Sequence, residues 1–391
     1  MSSVHWRPCP AFLFKIERKR LDQTLKYIAL ETKMSESYYS KVENGSIKPS
    51  VDSIHALLNV YQISVDQAYK LNVNLEEISQ QLSAIQTGQF SHRQCLKWLD
   101  AHQNSFYLLY FYVLESCADL LSHYNYFSFI DHFRKIEPFV SFLPEYLYSL
   151  LYACGLLAFA LAKDRVLYDQ CQQVYQQLET VNEPEIIALA QLYYDLSFED
   201  YVAYLEHFPN SLKQESSYWE HEILITKAAY ANHMKNPQKA IQILNKILLF
   251  EQSNRYTDRI NFIKECLGWT HIFIREYLQA IDYFDPLCSL NQVFGQAYAY
   301  YRIEEPQKAI ALLDTVNSPN QLYRLFFQWL RYTIKYPYGK TALSTLYRIE
   351  KNFVQTLNWE TRHFLYEQLY DHLSHLHNEK EALLYLQKLI Q

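Results

Sequence analysis

The basic side chains of this sequence are concentrated near its N-terminus, where they could bind the phosphate groups of a nucleic acid. Residues 1–72 contain ten Lys and Arg against seven Asp and Glu, a formal charge of +3. The whole chain of 391 residues carries −6, so the remainder carries −9. Lys and Arg neutralise phosphates, whereas an acidic body is repelled by them. The distribution permits a small nucleic-acid-binding head on an acidic body.

Residue patterns for catalysis, or for binding a metal or cofactor, are missing from the sequence. None of the six glycines lies close to another, so there is no glycine-rich loop for a nucleotide phosphate. No Gly-x-Ser-x-Gly or His-Glu-x-x-His motif occurs. The seven cysteines are scattered and typical of reduced, buried thiols. His372 and His375 share a helix face without a nearby Cys to complete a zinc site. We therefore predict no enzymatic activity, no cofactor and no metal.

The composition favours an all-α fold without membrane spans. Only 6 Gly and 12 Pro occur, against 35 Tyr and 22 Phe. Sandwiches, barrels and dinucleotide-binding folds need many more glycines at their turns. Apolar stretches such as residues 147–162 are interrupted and fall short of the ~20 residues that cross a bilayer, and residues 1–10 lack the apolar region of a signal peptide. These features predict a cytoplasmic protein with no membrane partner.

The elements that would position the basic residues are short helices. Thr24 and Ser35 are candidate N-caps, and a tight turn at 32–34 separates the helices they begin. Apolar residues Leu25, Ile28, Ala29, Tyr39 and Val42 would face inward. Two short helices joined in this way form a helix-turn-helix, whose second helix fits the ~12 Å major groove. The predicted helices of this region are 12–21, 24–31, 35–43, 51–60 and 65–71.

One run of residues resembles a known family. Ser35-Glu36-Ser37-Tyr38-Tyr39-Ser40-Lys41-Val42-Glu43-Asn44-Gly45, with Lys48-Pro49-Ser50 and Ile63-Ser64-Val65-Asp66, is similar to the Cro/C1-type (XRE) helix-turn-helix. The similarity covers about 60 residues, and the sequence departs from the family at Leu25, where a phosphate-binding Gln is usual. Helix 1 aligns only to within one residue, which leaves Lys15, Arg18 and Lys19 as alternatives for the family's buried Arg partner of Glu43.

The resemblance implies which residues would touch DNA. Exposed side chains near the N-terminus of the second helix would face base edges or phosphates, and three lysines around it would contact phosphates. A carboxylate at Glu36 could accept from a cytosine amino group or simply stabilise the helix N-terminus. A head of this size binds weakly, so a homodimer on a double-stranded operator is expected. The candidate DNA-binding residues are Lys26, Lys33, Glu36, Ser37, Tyr38, Ser40, Lys41 and Lys48.

The rest of the chain has helical periodicity and internal repeats. The unit from Leu267 to Phe284 resembles the tetratricopeptide (TPR) pattern, with a small residue in the first helix and Ala280 in the second. Asn236-Pro237-Gln238-Lys239-Ala240-Ile241 and Glu305-Pro306-Gln307-Lys308-Ala309-Ile310 are near copies. Equivalent alanines recur at irregular spacing, and Gly155 with Leu167 suggests an earlier unit. The alanines are Ala203, Ala240, Ala280, Ala309, Ala342 and Ala382.

The predicted organisation is therefore a helix-turn-helix domain (1–72), linker helices (73–103) and a right-handed TPR-like α-solenoid with a C-terminal capping helix (104–391). Arrays of this type usually bind an extended peptide or a partner helix on the inner surface. For the aromatic residues, packing between repeats is the alternative to ligand contact. The candidate peptide-binding residues are Asn232, Trp269, Tyr298, Arg302, Arg331 and Lys335.

The combination of head and body resembles the peptide-pheromone receptors of Gram-positive bacteria and their phages, the group containing Rap, Rgg, NprR, PlcR, PrgX and the arbitrium receptor. The resemblance implies a quorum-sensing transcription regulator that binds a short signalling peptide in its array. Two alternatives remain open. One is a mobile-element repressor whose array binds a protein, and the other is a Rap-like adaptor acting on a response regulator.

Overall fold

The computed structural model describes residues 7–71, 75–88, 90–178, 183–198, 200–211, 217–254, 257–287, 289–316, 320–354, 357 and 359–390. Within these ranges the regular structure is helical and no strand occurs, which confirms the predicted all-α class. None of the helices in the described part of the chain is both long and apolar enough to cross a membrane.

The chain divides into two compact units, Met1–Asp195 with Tyr201–Glu220, and Leu196–Asp200 with His221–Gln391. The head helices agree with the predicted bounds to within two residues at each end. The helices up to the end of the first unit are α1 (Pro10–Arg20), α2 (Leu25–Thr32), α3 (Glu36–Glu43), α4 (Val51–Val60), α5 (Val65–Tyr69), α6 (Leu75–Thr87), α7 (His92–Ala101), α8 (Leu108–His123), α9 (Tyr126–Ile136), the 3₁₀ helix Glu137–Phe142, α10 (Glu145–Leu161), α11 (Arg165–Tyr175), α12 (Pro184–Ser197) and α13 (Tyr201–Ser211).

Hydroxyl side chains begin four of the head helices. Thr24, Ser35, Ser50 and Ser64 each accept a hydrogen bond from the backbone N–H three residues later, at 3.1 to 3.2 Å. Each cap satisfies one of the N–H groups that a helix start leaves unpaired and stabilises the helix by about 1 kcal/mol. Because these contacts are local, the predicted starts were close to those observed.

The head packs directly on the helices that follow it. The Cys9 amide donates to the Phe106 carbonyl, and the Phe106 amide donates to the Ala68 carbonyl, both at 2.8 Å. The Phe14 and Phe106 rings meet edge to face at 5.8 Å. Within the predicted linker, α7 packs against α8, where Trp98 meets a buried Phe ring. The predicted boundary at residues 72–73 lies outside the described residues. The packing makes the head part of a larger unit.

The second unit consists of consecutive helix pairs. Its helices are α14 (Ser217–His233), which begins in the first unit, α15 (Pro237–Asn254), α16 (Thr257–Phe273), α17 (Tyr277–Tyr283), α18 (Leu290–Arg302), α19 (Pro306–Asp314), α20 (Gln321–Lys335), α21 (Lys340–Phe353), α22 (Trp359–His375) and α23 (Glu379–Ile390). Within the pairs α16–α17, α18–α19, α20–α21 and α22–α23, the second helix packs back on the first.

One turn geometry recurs between paired helices. At α14–α15, α16–α17, α18–α19 and α22–α23, a left-handed residue with φ of 53° to 65° ends the first helix. The next residue donates its N–H to the carbonyl five positions earlier at 2.8 to 3.0 Å. This hydrogen-bond pattern is a Schellman turn. In the first unit, Lys163 and Asp164 form the same turn between α10 and α11. Its recurrence shows that the pairs repeat in backbone geometry as well as in sequence.

Small residues allow the paired helices to approach closely. Ala240, Ala280, Ala309, Ala342 and Ala382 are all buried, as the repeat pattern requires, whereas Ala203 is half-buried. In the repeat suggested by Gly155 and Leu167, Leu167 is half-buried and its neighbour Tyr168 is buried. The buried position of that repeat is therefore displaced by one residue.

The ring of Phe284 occupies the space left by two glycines. A Cβ on Gly268 of α16 would lie 2.6 Å from Phe284, and a Cβ on Gly295 of α18 would lie 2.5 Å from the same ring. Any larger residue at either position would therefore displace the ring.

An aromatic core fills the inner faces of the first helices of the pairs in the second unit. The Phe364 ring of α22 lies 5.8 Å from Trp269 of α16, 4.9 Å from Tyr298 of α18 and 5.7 Å from Trp329 of α20. Phe294 joins the same cluster, 5.7 Å from Phe364. Aromatic rings from four helices thus meet in one core, and Phe364 of α22 contacts a ring from each of the other three.

Candidate nucleic-acid interface

Helices α2 and α3 form the predicted helix-turn-helix. Lys33 follows α2 in the left-handed conformation, with φ of 57°, and the Met34 amide donates to the Ala29 carbonyl at 2.9 Å. Ser35 then caps α3. Tyr39 and Val42 are fully buried on the inner face of α3. On the other side of α3, Glu36, Ser37 and Lys41 are exposed.

A buried ion pair fixes α1 against α3. Arg18 Nε and Nη2 donate to the two carboxylate oxygens of Glu43, each at 2.7 Å, and Nη1 donates to the Gln23 carbonyl at 2.9 Å. Glu43 is 4% exposed and Arg18 16% exposed. The hydrogen bond to Glu43 raises the pKa of Arg18 above its ordinary value. Of the three alternatives left open by the sequence, Arg18 is the partner of Glu43.

A second polar contact holds the other side of α3. The Tyr39 and Tyr61 hydroxyls share a buried hydrogen bond of 2.8 Å. Burial raises the pKa of Tyr61 to about 12 and raises that of Tyr39 further. Both hydroxyls are thus protonated at any physiological pH, and this hydrogen bond fixes the rotation of α3 about its axis.

Most of the candidate DNA-binding side chains are exposed on and around α3. Glu36, Ser37 and Lys41 are exposed on the helix itself, and Ser40 is half-buried. Tyr38 differs from the others: it is half-buried and its hydroxyl makes a 3.1 Å hydrogen bond with Ser53 of α4. Three flanking cations are also exposed, namely Lys26, Lys33 and Lys48.

The size of α3 suits a groove. An α-helix with its side chains is about 10–12 Å across, which fits the ~12 Å width of the major groove, and α3 is a short helix of 8 residues. Exposed lysines lie before it at Lys33 and after it at Lys48, where phosphates would flank a helix in the groove. Leu25, half-buried at the start of α2, cannot donate to a phosphate.

Two of the candidate peptide-binding residues belong to the core of the second unit. Trp269 is 7% exposed and Tyr298 is 2% exposed, and the ring of Phe364 covers both. The Tyr298 hydroxyl accepts from Gln368 Nε2 at 3.2 Å. Packing between helices, the alternative to ligand contact, is the arrangement that the structure shows for these two aromatic residues.

Two arginines among the candidates have partners within the unit. Arg302 Nη1 donates to the Tyr298 hydroxyl at 2.7 Å, and its guanidinium lies 4.9 Å from the centre of the Tyr277 ring. Arg331 Nη2 donates at 2.8 Å to Asp314, at the end of α19. Arg331 is thus held at the contact with the preceding helix pair.

The remaining two candidates keep some polar capacity. Asn232 Nδ2 donates to Thr270 Oγ1 at 3.1 Å, while its buried Oδ1 accepts no hydrogen bond from a described residue. Lys335 is exposed beside the ring of Tyr336.

The histidines singled out in the sequence make contacts within the fold. His372 is buried, and its Nδ1 lies 3.0 Å from the Gln368 carbonyl. The ring of His375 stacks on Tyr338 at 3.6 Å. Among the residues that the structure describes, no three His, Cys, Asp or Glu side chains lie together in a way that would hold a metal ion.

The structure brings basic residues of α1 together with basic residues of α9, a contact that no sequence pattern predicts. The sequence predicts a role for Lys15 and Lys19 only as possible partners of Glu43, and it predicts none for Arg134 and Lys135. In the structure these four cations line one cleft. The sequence signal was a pair of adjacent cations in the last turn of an amphipathic helix, which is too common to indicate a site.

Comparison with known proteins identifies one part of the chain. None of the curated proteins compared with the chain matches it. The helix-turn-helix family model matches residues 14–67, which contain α2, α3 and the residues that pack against them. The N-terminal region is therefore a helix-turn-helix of the Cro/C1 type, and this match supports a DNA-binding transcription regulator.

Proposed function

We propose that the protein is a cytoplasmic transcription regulator that binds operator DNA as a homodimer and responds to a short signalling peptide bound by its helical array. The observation that carries the DNA-binding part is α3. Its inner face is buried and fixed by the Arg18–Glu43 pair, and its outer face carries exposed polar side chains. Such a preformed helix pays little ordering entropy on binding.

The residues around α3 suggest a division of roles. Lys26, Lys33 and Lys48 would contact phosphates and give salt-dependent affinity. Glu36, Ser37 and Lys41 would contact base edges, where each good contact discriminates by about 1–3 kcal/mol. Ser40 and Tyr38, both half-buried, would offer only part of their surface to DNA.

The array is proposed to be TPR-like. The recurring Schellman turns, the buried alanines and the packing of the second helix on the first in four pairs support this assignment. Asn232 is the best-supported peptide ligand, because its Oδ1 accepts no hydrogen bond from a described residue; this atom is buried, so a peptide N–H would reach it only after the side chains around it move. Trp269 and Tyr298 would contact a peptide only after α22 moves, since Phe364 covers them.

The charge around Arg302 limits which peptide group it could bind. Arg275 Nη2 donates to Glu367 Oε1 at 3.4 Å. Burial, together with the negative charge of Asp371, raises the pKa of Glu367. A peptide carboxylate at Arg302 would compete with these acidic groups. Lys335, exposed and without a carboxylate partner among the described residues, is the better candidate for an acidic peptide group.

Regulation would follow from a shift of population. A peptide that binds one conformation of the array better than another favours that conformation by its difference in affinity. Because α1 of the head packs on α8, the heads of a dimer would move with the units to which they belong. A change in head separation would then alter the fit to two half-sites.

Fluorescence anisotropy with fragments of the gene's own upstream region tests the DNA-binding part. Wild-type protein should bind one fragment selectively, with affinity that falls as salt rises. Lys41→Ala combined with Ser37→Ala should reduce the ratio of affinities for the selected fragment and the other fragments by about tenfold or more. Lys97→Ala, an exposed lysine of α7, is the matched control for loss of charge. Equal binding of all fragments by wild-type protein would contradict the proposal.

Synthetic peptides encoded near the gene test the regulatory part. An effective peptide should raise the melting temperature and change operator affinity, and Asn232→Ala should weaken both effects. If no peptide acts and a protein partner is recovered in stoichiometric amount, the protein-controlled repressor is the better description.

A further inference from the structure

A basic cleft lies between α1 and α9 in the first unit. It has a volume of about 220 Å³ and is lined by Lys15, Ile16, Lys19, Asp131, Arg134 and Lys135. Lys135 is paired with Asp131 at 2.6 Å. The lining thus carries four cations and a single carboxylate that is already engaged, which gives the cleft a formal charge of +3.

The cleft borders the C-terminal end of α3. Lys15 Nζ donates to Asn44 Oδ1 at 3.2 Å, and Asn44 is the residue that ends α3. The next residue, Gly45, packs on the 3₁₀ helix that follows α9, where a Cβ would lie 3.3 Å from the ring of Phe142. Helices α1, α3 and α9 therefore present neighbouring parts of one surface.

The carboxylates near the cleft do not neutralise it. Glu43 is bonded to Arg18, and Glu17 is bonded to Arg20 at 2.6 Å. Burial lowers the pKa of Lys15, Glu43 opposes this effect, and the nearby Lys19 and Arg18 add to it. Anion binding at a site where cations repel one another is favourable, because the anion relieves that repulsion.

The position of the cleft suits the DNA backbone. A helix-turn-helix places the N-terminal residues of its second helix on base edges. The C-terminal end of α3, directed out of the groove, would then lie beside the sugar–phosphate chain. Residues 73–391 carry a charge of −9 and would repel DNA, so a group of cations at this border offsets the repulsion where the two approach.

We propose that the cleft between α1 and α9 binds phosphates of the DNA backbone next to the half-site, so that the DNA interface extends from the helix-turn-helix onto α9. This inference rests on the proposed DNA-binding function. Lys19 and Arg134, both exposed, make the phosphate contacts, while Lys15 and Lys135 hold the walls of the cleft through Asn44 and Asp131.

The test is a salt series of operator binding with full-length protein. Each phosphate contact contributes about 0.9 to the slope of log K against log salt. Lys19→Gln combined with Arg134→Gln should lower that slope by about 1.8 per head, or about 3.6 for the proposed homodimer, and weaken binding by about tenfold per contact at 0.1 M salt. Specific and scrambled duplexes should weaken alike, because backbone contacts carry no sequence information.

Arg93→Gln combined with Lys97→Gln is the matched control, since it removes the same two charges from exposed positions of α7 outside the cleft. Melting curves of all variants should coincide. If wild-type protein binds no DNA, the proposed function itself is refuted. If wild-type binds and the cleft variant keeps the slope of the control, the extended interface is refuted.

Inorganic phosphate distinguishes a free anion from the DNA backbone. In one outcome, millimolar phosphate stabilises wild-type protein but not the cleft variant, and the salt slope of the cleft variant is unchanged. This result would overturn the proposal in favour of a small-anion site. A reduced slope with no stabilisation by phosphate would support the contact with DNA.

Discussion

Replacing Arg18 with Met should loosen α3 by removing the buried partner of Glu43. The substitution keeps the length of the side chain but leaves Glu43, 4% exposed, without its two charge-assisted hydrogen bonds. Removing one partner of a buried pair costs about 3–5 kcal/mol. Because Arg18 is 16% exposed, water can reach part of the vacated site, and we expect about 3 kcal/mol.

Hydrogen exchange of the α3 amides measures this effect locally, which suits a chain with two units that need not unfold together. A loss of about 3 kcal/mol corresponds to exchange roughly 100-fold faster. Lys19→Met is the control, since it removes an equal charge from an exposed position of the same helix and should change the exchange rate by less than threefold.

The double variant Arg18→Met with Glu43→Leu distinguishes the contribution of the ion pair to the stability of α3 from the destabilisation caused by an unpaired buried charge. Apolar replacement of both members of a buried pair is often neutral, so the double variant should recover most of the lost protection. The reasoning is refuted if Arg18→Met leaves exchange in α3 unchanged. It is also refuted if the double variant is less protected than the single one.

Three further predictions concern other parts of the fold. Gly268→Ala places a Cβ 2.6 Å from Phe284 and should destabilise by about 1–3 kcal/mol, with partial rescue by Phe284→Leu in thermal melts. Phe364→Ala should cost about 3–5 kcal/mol and shift tryptophan emission to the red, because Trp269 loses its cover; unchanged emission would contradict the core described above. Burial raises the pKa of Cys95 to about 12, whereas an unfolded thiol ionises near 8.5, so stability should fall as pH rises above about 9. The fall in urea midpoint should be smaller in Cys95→Ala.

Local sequence determined the helices of the head and the repeat of helix pairs. Thr24 and Ser35 begin their helices because a hydroxyl finds a backbone N–H three residues away, and such contacts depend on neighbouring residues alone. The alanine positions at Ala240, Ala280 and Ala309 were identified by spacing, since close helix contact needs a small residue at a fixed distance from the turn. Periodicity also distinguished the buried face of α3 from its exposed face.

The tertiary structure alone decided which residues meet across long distances in sequence. The rotation of α1 against α3 brings Arg18 to Glu43, rather than Lys15 or Lys19. Periodicity placed Trp269 on an inner face, but not the ring of Phe364 that covers it. The basic cleft combines α1 with α9, helices more than a hundred residues apart along the chain. Helical periodicity specifies the direction in which a side chain points from the axis of its helix. The residue that it contacts depends on how separate helices pack.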